Sequence, residues 1–189
     1  MASDKPYPSD DVAARLTLRA ARPPDATLLR RWDEEPAVLA SDPDDYWQWE
    51  VELARAPDWR AQLMAEFDGR PIGFVQIIDP ARKESRYWGA VPPNLRAIDI
   101  WIGEADCRGR GFGTRLMHMA LARCFADPDV DAVLIDPLWD NRDARRFYER
   151  LGFRLLERRR FGLSDGAVYR LARSDFPSPG GCSVLASRP

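Results

Sequence analysis

Residues 96–102 alternate as a strand does, with Ile98, Ile100 and Ile102 on one side and Asp99 and Trp101 on the other. Shortly afterwards the chain enters Arg108-Gly109-Arg110-Gly111-Phe112-Gly113-Thr114, and residues 114–125 then carry the apolar spacing of a helix. A strand that passes through a glycine-rich turn into a helix commits the chain to an α/β arrangement, because the helix must pack back over the sheet. The turn also has a chemical consequence. Successive backbone N–H groups at a helix start point the same way, and glycine lets an anion come close to them. The ligand that suits such a turn is a pyrophosphate. The segment lacks the Lys-Ser/Thr ending of a P-loop, and glycines at 109, 111 and 113 miss the dinucleotide-binding spacing.

The other segments fill out one domain. Residues 16–19 read as a short strand, Pro23-Pro24-Asp25 as a helix start, and Leu28, Leu29 and Trp32 share one helical face. A second helix is expected from Ser41 or Asp42, with Pro43 in its first turn, to about Arg55. Residues 59–67 and 71–78 form a hairpin closed by Asp68-Gly69. Residues 79–95, with Pro80, Gly89, Pro92 and Pro93, make an irregular excursion of a length that is either functional or mobile. A strand at 130–136 stops at Pro137, and a helix at 141–151 is closed by Gly152. Strands at 153–160 and 167–171 complete the order. Residues 1–14 read as a flexible leader, 15–173 as the domain and 174–189 as a flexible tail.

A hydrophobic fraction of 45% with 31% charged residues is enough to pack a core in a chain of 189 residues. No apolar run approaches the roughly 20 residues needed to span a bilayer, and the polar start lacks a signal sequence, so the expectation is a cytoplasmic protein without a membrane partner. A net charge of −2 gives nothing that points to nucleic acid. Cys107, Cys124 and Cys182 have no metal-ligand spacing, and His118 is the single histidine. Cys124 reads as an apolar filler of its helix and His118 as a surface residue.

Arg108-x-x-Gly111-x-Gly113 resembles the acetyl-CoA pyrophosphate loop of the GNAT N-acetyltransferases, written in that family Gln/Arg-x-x-Gly-x-Gly/Ala. Asn141-x-x-Ala144-x-x-Phe147-Tyr148-x-x-x-Gly152-Phe153 resembles the family's second motif. The likeness covers residues 15–173. It implies a single α/β (α+β) GNAT domain with a mixed six- to seven-stranded sheet, splayed between two parallel central strands, and about four helices on both faces. It also implies acetyl-CoA as co-substrate, with no metal, and a pantetheine arm that enters the V-shaped gap. The residues it assigns to acetyl-CoA are Trp101, Ile102, Arg108, Gly109, Arg110, Gly111, Phe112, Gly113, Thr114 and Asn141. Counting back from the loop at about 3.3 Å per strand residue puts the thioester near Ile100 and Trp101, beside Asp99.

Three pieces are similar to the aminoglycoside 6′-N-acetyltransferases in particular. They are Gly69-Arg70-Pro71-Ile72-Gly73-Phe74 with Gln76, then Arg96-Ala97-Ile98-Asp99, then Asp136-Pro137 followed by Asn141. The resemblance implies that Asp99 and Asp136 hold and deprotonate the aminoglycoside amine, that Tyr148 is the thiol acid, and that the enzyme confers antibiotic resistance. It is weaker before residue 60 and over 79–95, both on the acceptor side.

Acyl transfer needs a neutral amine, so a carboxylate must take a proton as the nitrogen attacks. Asp99 is the candidate base and Asp136 the group that positions the cation. Two neighbouring carboxylates repel, which raises one pKa. A backbone N–H near Trp101 could serve the thioester oxygen. Without the resemblance, Asp99 reads equally as a solvated strand residue, Asp136 as a loop start and Tyr148 as packing. From Asp33 to Glu52 the ionisable residues are all acidic. That run, with Trp47, Trp49 and the excursion's Trp88, suits a polycationic sugar, and these tryptophans are acceptor-site candidates. Other small amines remain open as acceptors, polyamines and siderophore hydroxylamines among them. A non-catalytic acyl-CoA-binding module would lack Asp99 and Tyr148. The assembly is expected to be a monomer or homodimer.

Overall fold

The computed structural model describes residues 15–41 and 47–176. The strands are β1 (Leu16–Ala20), β2 (Arg60–Phe67), β3 (Arg70–Ile78), β4 (Leu95–Ile102), β5 (Ala132–Ile135), β6 (Arg154–Phe161) and β7 (Ser164–Ala172). The helices are α1 (Ala26–Asp33), α2 (Pro36–Leu39), α3 (Trp49–Ala54), α4 (Phe112–Phe125) and α5 (Arg142–Arg150). All seven strands join one sheet in the order β1-β2-β3-β4-β5-β7-β6. Every neighbouring pair is antiparallel except β4 and β5, which run parallel around the α4 crossover.

That parallel ladder is short. It pairs Leu95 with Ala132, Arg96 with Val133 and Ala97 with Leu134, while β4 runs on to Ile102. Beyond Ala97 the two strands part, and Pro137, which has no N–H to give a ladder, follows close behind the end of β5. The sheet is splayed there, as expected for two parallel central strands.

Alternation decides what each face carries. Leu63, Val75, Ile77 and Ile98 turn toward α4, where Met117 and Leu121 are buried. Met64, Phe74 and Trp101 turn the other way, toward Leu29 and Trp32 of α1 and Trp49 and Leu53 of α3. Cys124 is buried in the first of these clusters and His118 is exposed. Gly103, just past β4, admits the closest approach: a Cβ there would lie 2.0 Å from the Trp32 ring.

Several expected boundaries shift. Of the helix expected from 41 or 42 to 55, residues 42–46 lie outside those described, Ser41 lies in a turn, and α3 begins at Trp49, after Gln48 with φ −91 and ψ 75. Pro36 instead opens a separate single turn, α2. Helix α4 starts at Phe112, two positions before Thr114, because Gly111 serves as its N-cap. Strand β7 starts at Ser164 because it closes a tight hairpin with Phe161 of β6. Packing also continues past residue 173: Phe176 lies 5.2 Å from the Phe125 ring, and the Arg173 guanidinium donates to the carbonyls of Val130, Phe125 and Asp127. The leader and the residues from 177 onward lie outside the described residues.

Gly103→Ala should therefore force the Trp32 ring aside and cost about 1–3 kcal/mol of stability. Urea denaturation with an unchanged m-value would register it as a lower midpoint.

Candidate active site

A cavity of about 900 Å³ occupies the splay. Asp99 and Asp136 each lie two residues beyond the last rung of the β4–β5 ladder, Ala97 opposite Leu134. Both rung residues pack with Trp88, so the same period of two brings the carboxylates to one level and one face, on opposite arms of the V. Tyr148 of α5 lines the cavity from the other face, packed with the α4-side core and against Phe147 and Phe153. The three residues expected to carry the chemistry thus meet in one space.

The two carboxylates have different surroundings. Gln62, Gln76 and Asp99 stand in register across β2, β3 and β4. Gln62 donates Nε2–H to Gln76 Oε1 at 3.3 Å, and Gln76 donates Nε2–H to Asp99 Oδ2 at 2.8 Å. Gln76 is 1% exposed, and spending its oxygen on Gln62 turns its amide N–H toward Asp99. Asp136 is pushed up to about 7, first by burial and then by the charge of Asp99. The Tyr87 hydroxyl, which donates to its Oδ2 at 2.6 Å, pulls the other way, as do Lys83 and Arg159. The phenol of Tyr148 is raised by burial and by both aspartates, so it keeps its proton through neutral pH.

The glycine loop fits a pyrophosphate. Gly111, at φ 83, turns the chain into α4, and no side chain caps that helix start. The amides of its first turn are the orphan donors that an anion satisfies. A Cβ at Gly109 would meet nothing within 4 Å, so the approach is clear. Of the expected loop contacts, Phe112 is 3% exposed and packs with Leu16 and Leu116, which leaves only its amide for a ligand. Arg108 turns inward to the carbonyls of Ile102 and Gly103 and to Glu35, bracing the loop. Arg110 is exposed, Thr114, Trp101 and Ile102 are half-buried, and a Cβ on Gly113 would come 3.8 Å from Phe147. Asn141 lines the cavity while its side chain caps α5 by accepting from the Ala144 amide.

The acceptor side departs further from expectation. Trp49 is 0% exposed, a core residue between Phe74 and Trp101, and is not a wall of the cavity. Trp47 stacks on it at 4.8 Å and does line the cavity. Trp88 reaches the cavity wall but is 3% exposed, held by Phe161 and Ile78. Three carboxylates of the acidic run pair with arginines from elsewhere: Glu35 with Arg108, Glu50 with Arg30 and Glu52 with Arg60. Asp33 accepts from the Trp49 indole, and Asp33 and Glu34 border the cavity. Asp42, Asp44 and Asp45 lie outside the described residues. Two residues escaped the sequence reading as site members. Gln76 was visible within the quoted motif but without a role, and Tyr87 signalled itself only as a hydroxyl-bearing aromatic beside Trp88.

Residues 22–161 match the acetyltransferase (GNAT) domain family, and the chain belongs to it. It is an acetyl-CoA-dependent N-acetyltransferase. The aminoglycoside N(6′)-acetyltransferase type 1 of Klebsiella pneumoniae is 26% identical over 152 residues, which cover 73% of each chain. The solved structure of aminoglycoside acetyltransferase AAC(6′)-Ib in complex with coenzyme A and kanamycin has the same fold, with a TM-score of 0.75 and 24% identity over 85% of this chain and 96% of that one. The spermidine N-acetyltransferase of Vibrio cholerae, in complex with CoA and spermine, also has it, with a TM-score of 0.70 and 18% identity over 86% and 98% of the two chains. Among the described residues no helix is long and apolar enough to cross a membrane, and no group of three or more His, Cys, Asp or Glu side chains could hold a metal ion.

The Asp136 shift has a consequence for stability. A carboxyl raised from its ordinary value to about 7 binds its proton more tightly folded than unfolded. Its contribution is full below about pH 4 and is lost as the pH rises to 7. Asp136→Asn removes that loss. The variant should gain on the parent by on the order of 2–4 kcal/mol at pH 8 and by little at pH 4, read from urea denaturation at both pH values.

Proposed function

We propose that this enzyme acetylates the 6′-amine of aminoglycoside antibiotics and so confers resistance to them. The observation that carries the reading is the pair Asp99 and Asp136, set at one level on the two arms of the splay and on the acceptor face. Asp33 and Glu34 on the same cavity's border add further anionic contacts for a multi-ring polyamine, and about 900 Å³ accommodates one. The relative from Klebsiella pneumoniae, 26% identical, carries that regiochemistry in its name.

Acetyl-CoA, when bound, supplies the acetyl group as a thioester. The amides from Gly109 to Thr114 would hold its pyrophosphate, with Arg110 beside them. Asp99, which accepts from Gln76, holds the incoming ammonium. Asp136, raised toward neutrality, takes the proton as the amine becomes a nucleophile. This exchanges the roles expected from the motifs, because a carboxyl raised by burial to about 7 is a better base than one at the ordinary value. Tyr148, a phenol at neutral pH on the opposite face, is the proton donor to the leaving sulfur.

The test is acetylation of kanamycin or tobramycin, with the modified nitrogen located by NMR. Turnover of spermidine with no aminoglycoside product would overturn the substrate class, and acetylation at another nitrogen would overturn the regiochemistry. Asp136→Asn should abolish the rise of kcat/KM near pH 7, whereas Asp99→Asn should act chiefly through a higher KM. Tyr148→Phe should lower kcat roughly tenfold to hundredfold with acetyl-CoA affinity unchanged by calorimetry. Gly111→Asp should abolish that affinity by placing a carboxylate in the phosphate seat.

A further inference from the structure

The chain between β3 and β4 reaches over the acceptor face and meets the β6–β7 hairpin. Tyr87 sits at that meeting. It is 43% exposed, yet its ring is fixed on several sides. It lies parallel to Phe161 at 4.5 Å, edge-on to Trp88 at 5.7 Å, and under the Lys83 ammonium at 4.9 Å. Beside it, Arg159 of β6 donates to the Trp88 carbonyl at 3.0 Å and ties the excursion to the hairpin. A surface tyrosine that serves packing alone turns its hydroxyl to water. This one turns it to Asp136 Oδ2 at 2.6 Å.

We infer that Tyr87 is a positioning residue of the acetyl-transfer site, taking one oxygen of Asp136, leaving the other for the incoming ammonium, and tuning how readily that carboxylate accepts a proton. The inference deepens the reading of Asp136 as proton acceptor and rests on it. The groups that bear on Asp136 come from four elements: Asp99 from β4, Lys83 and Tyr87 from the excursion, Arg159 from β6 and Tyr148 from α5. Asp99 and burial favour the protonated form, and Lys83 and Arg159 act against them through space. Tyr87 acts through a direct hydrogen bond, so its effect depends on geometry that the Phe161 stack enforces. Without the phenol, burial and Asp99 would hold the proton on Asp136 at the pH where it must receive one. With Oδ2 engaged, the carboxylate also offers a single oxygen, which admits one ammonium in one orientation.

Tyr87→Phe removes the hydroxyl and keeps the stack, which separates positioning from packing. The Asp136 carboxyl is followed by 13C NMR across pH in the parent and in Tyr87→Phe, with Asp136→Asn to assign the signal. Its titration should move up by about one pH unit, the worth of a hydrogen bond to a charged acceptor. The rise of kcat/KM with kanamycin should move with it, lowering turnover at pH 7 roughly fivefold while acetyl-CoA affinity holds. An unmoved Asp136 titration in folded Tyr87→Phe would overturn the inference whatever the activity. A titration that moves while the kcat/KM profile stays put would leave the grip of Tyr87 on Asp136 established and overturn the assignment of Asp136 as proton acceptor.

Discussion

Everything the site does depends on the parting of β4 from β5 after three rungs. A parallel pair normally continues while both strands have N–H and C=O groups to exchange, because unpaired buried backbone is costly. Here β5 ends at Ile135, Asp136 and Pro137 follow, and the parallel ladder with β4 does not run past them, although the chain goes on bonding to β7 through Leu138 and Gly166. Strand β4 goes on alone on that side from Ile98 to Ile102, so its free edge faces the cavity rather than another strand. That gap lets carboxylates on one face and a phenol on the other share a space.

The gap also gives two aspartates at one level different hydrogen-bond donors. Asp99 belongs to a strand still paired on its other side, so β3 can deliver Gln76 to it in register, with Gln62 of β2 behind. Asp136 follows a strand that has ended and receives its hydrogen bond from a loop tyrosine. Burial and the charge of Asp99 raise Asp136, and Tyr87, Lys83 and Arg159 oppose them. In this protein the difference in partners follows from topology.

How much was legible in the sequence follows from how local each feature is. The alternation of 96–102, the Asp68-Gly69 hairpin, the strand stopped by Pro137 and the helix closed by Gly152 are written in residues a few positions apart, and each appears in the fold. The glycine turn is equally local, although the cap at Gly111 moved the helix start. The pairing within the acidic run could not be read from the sequence, because only folding brings Arg108 to Glu35 and Arg60 to Glu52. Trp47, on the non-helical entry, and Trp49, the first residue of α3, are two positions apart, and only packing decides that Trp49 is core and Trp47 cavity wall. No periodicity could single out Tyr87, whose role is defined by Phe161 and Asp136, far along the chain.

This contrast has a functional side. The proposed cofactor seat is a turn and a helix start, a short contiguous piece whose competence depends on backbone geometry and can be carried intact among enzymes that share one co-substrate. The cavity proposed for the acceptor is lined by α1, the chain before α3, the β3–β4 excursion and the β6–β7 hairpin, with stacked rings and a hydrogen bond among these segments. Such segments can change length and composition without disturbing the sheet. In the function proposed above, the sheet positions an inner ring around the amine, Asp99 with Gln76 and Asp136 with Tyr87, while the outer segments select the rest of the molecule that carries it.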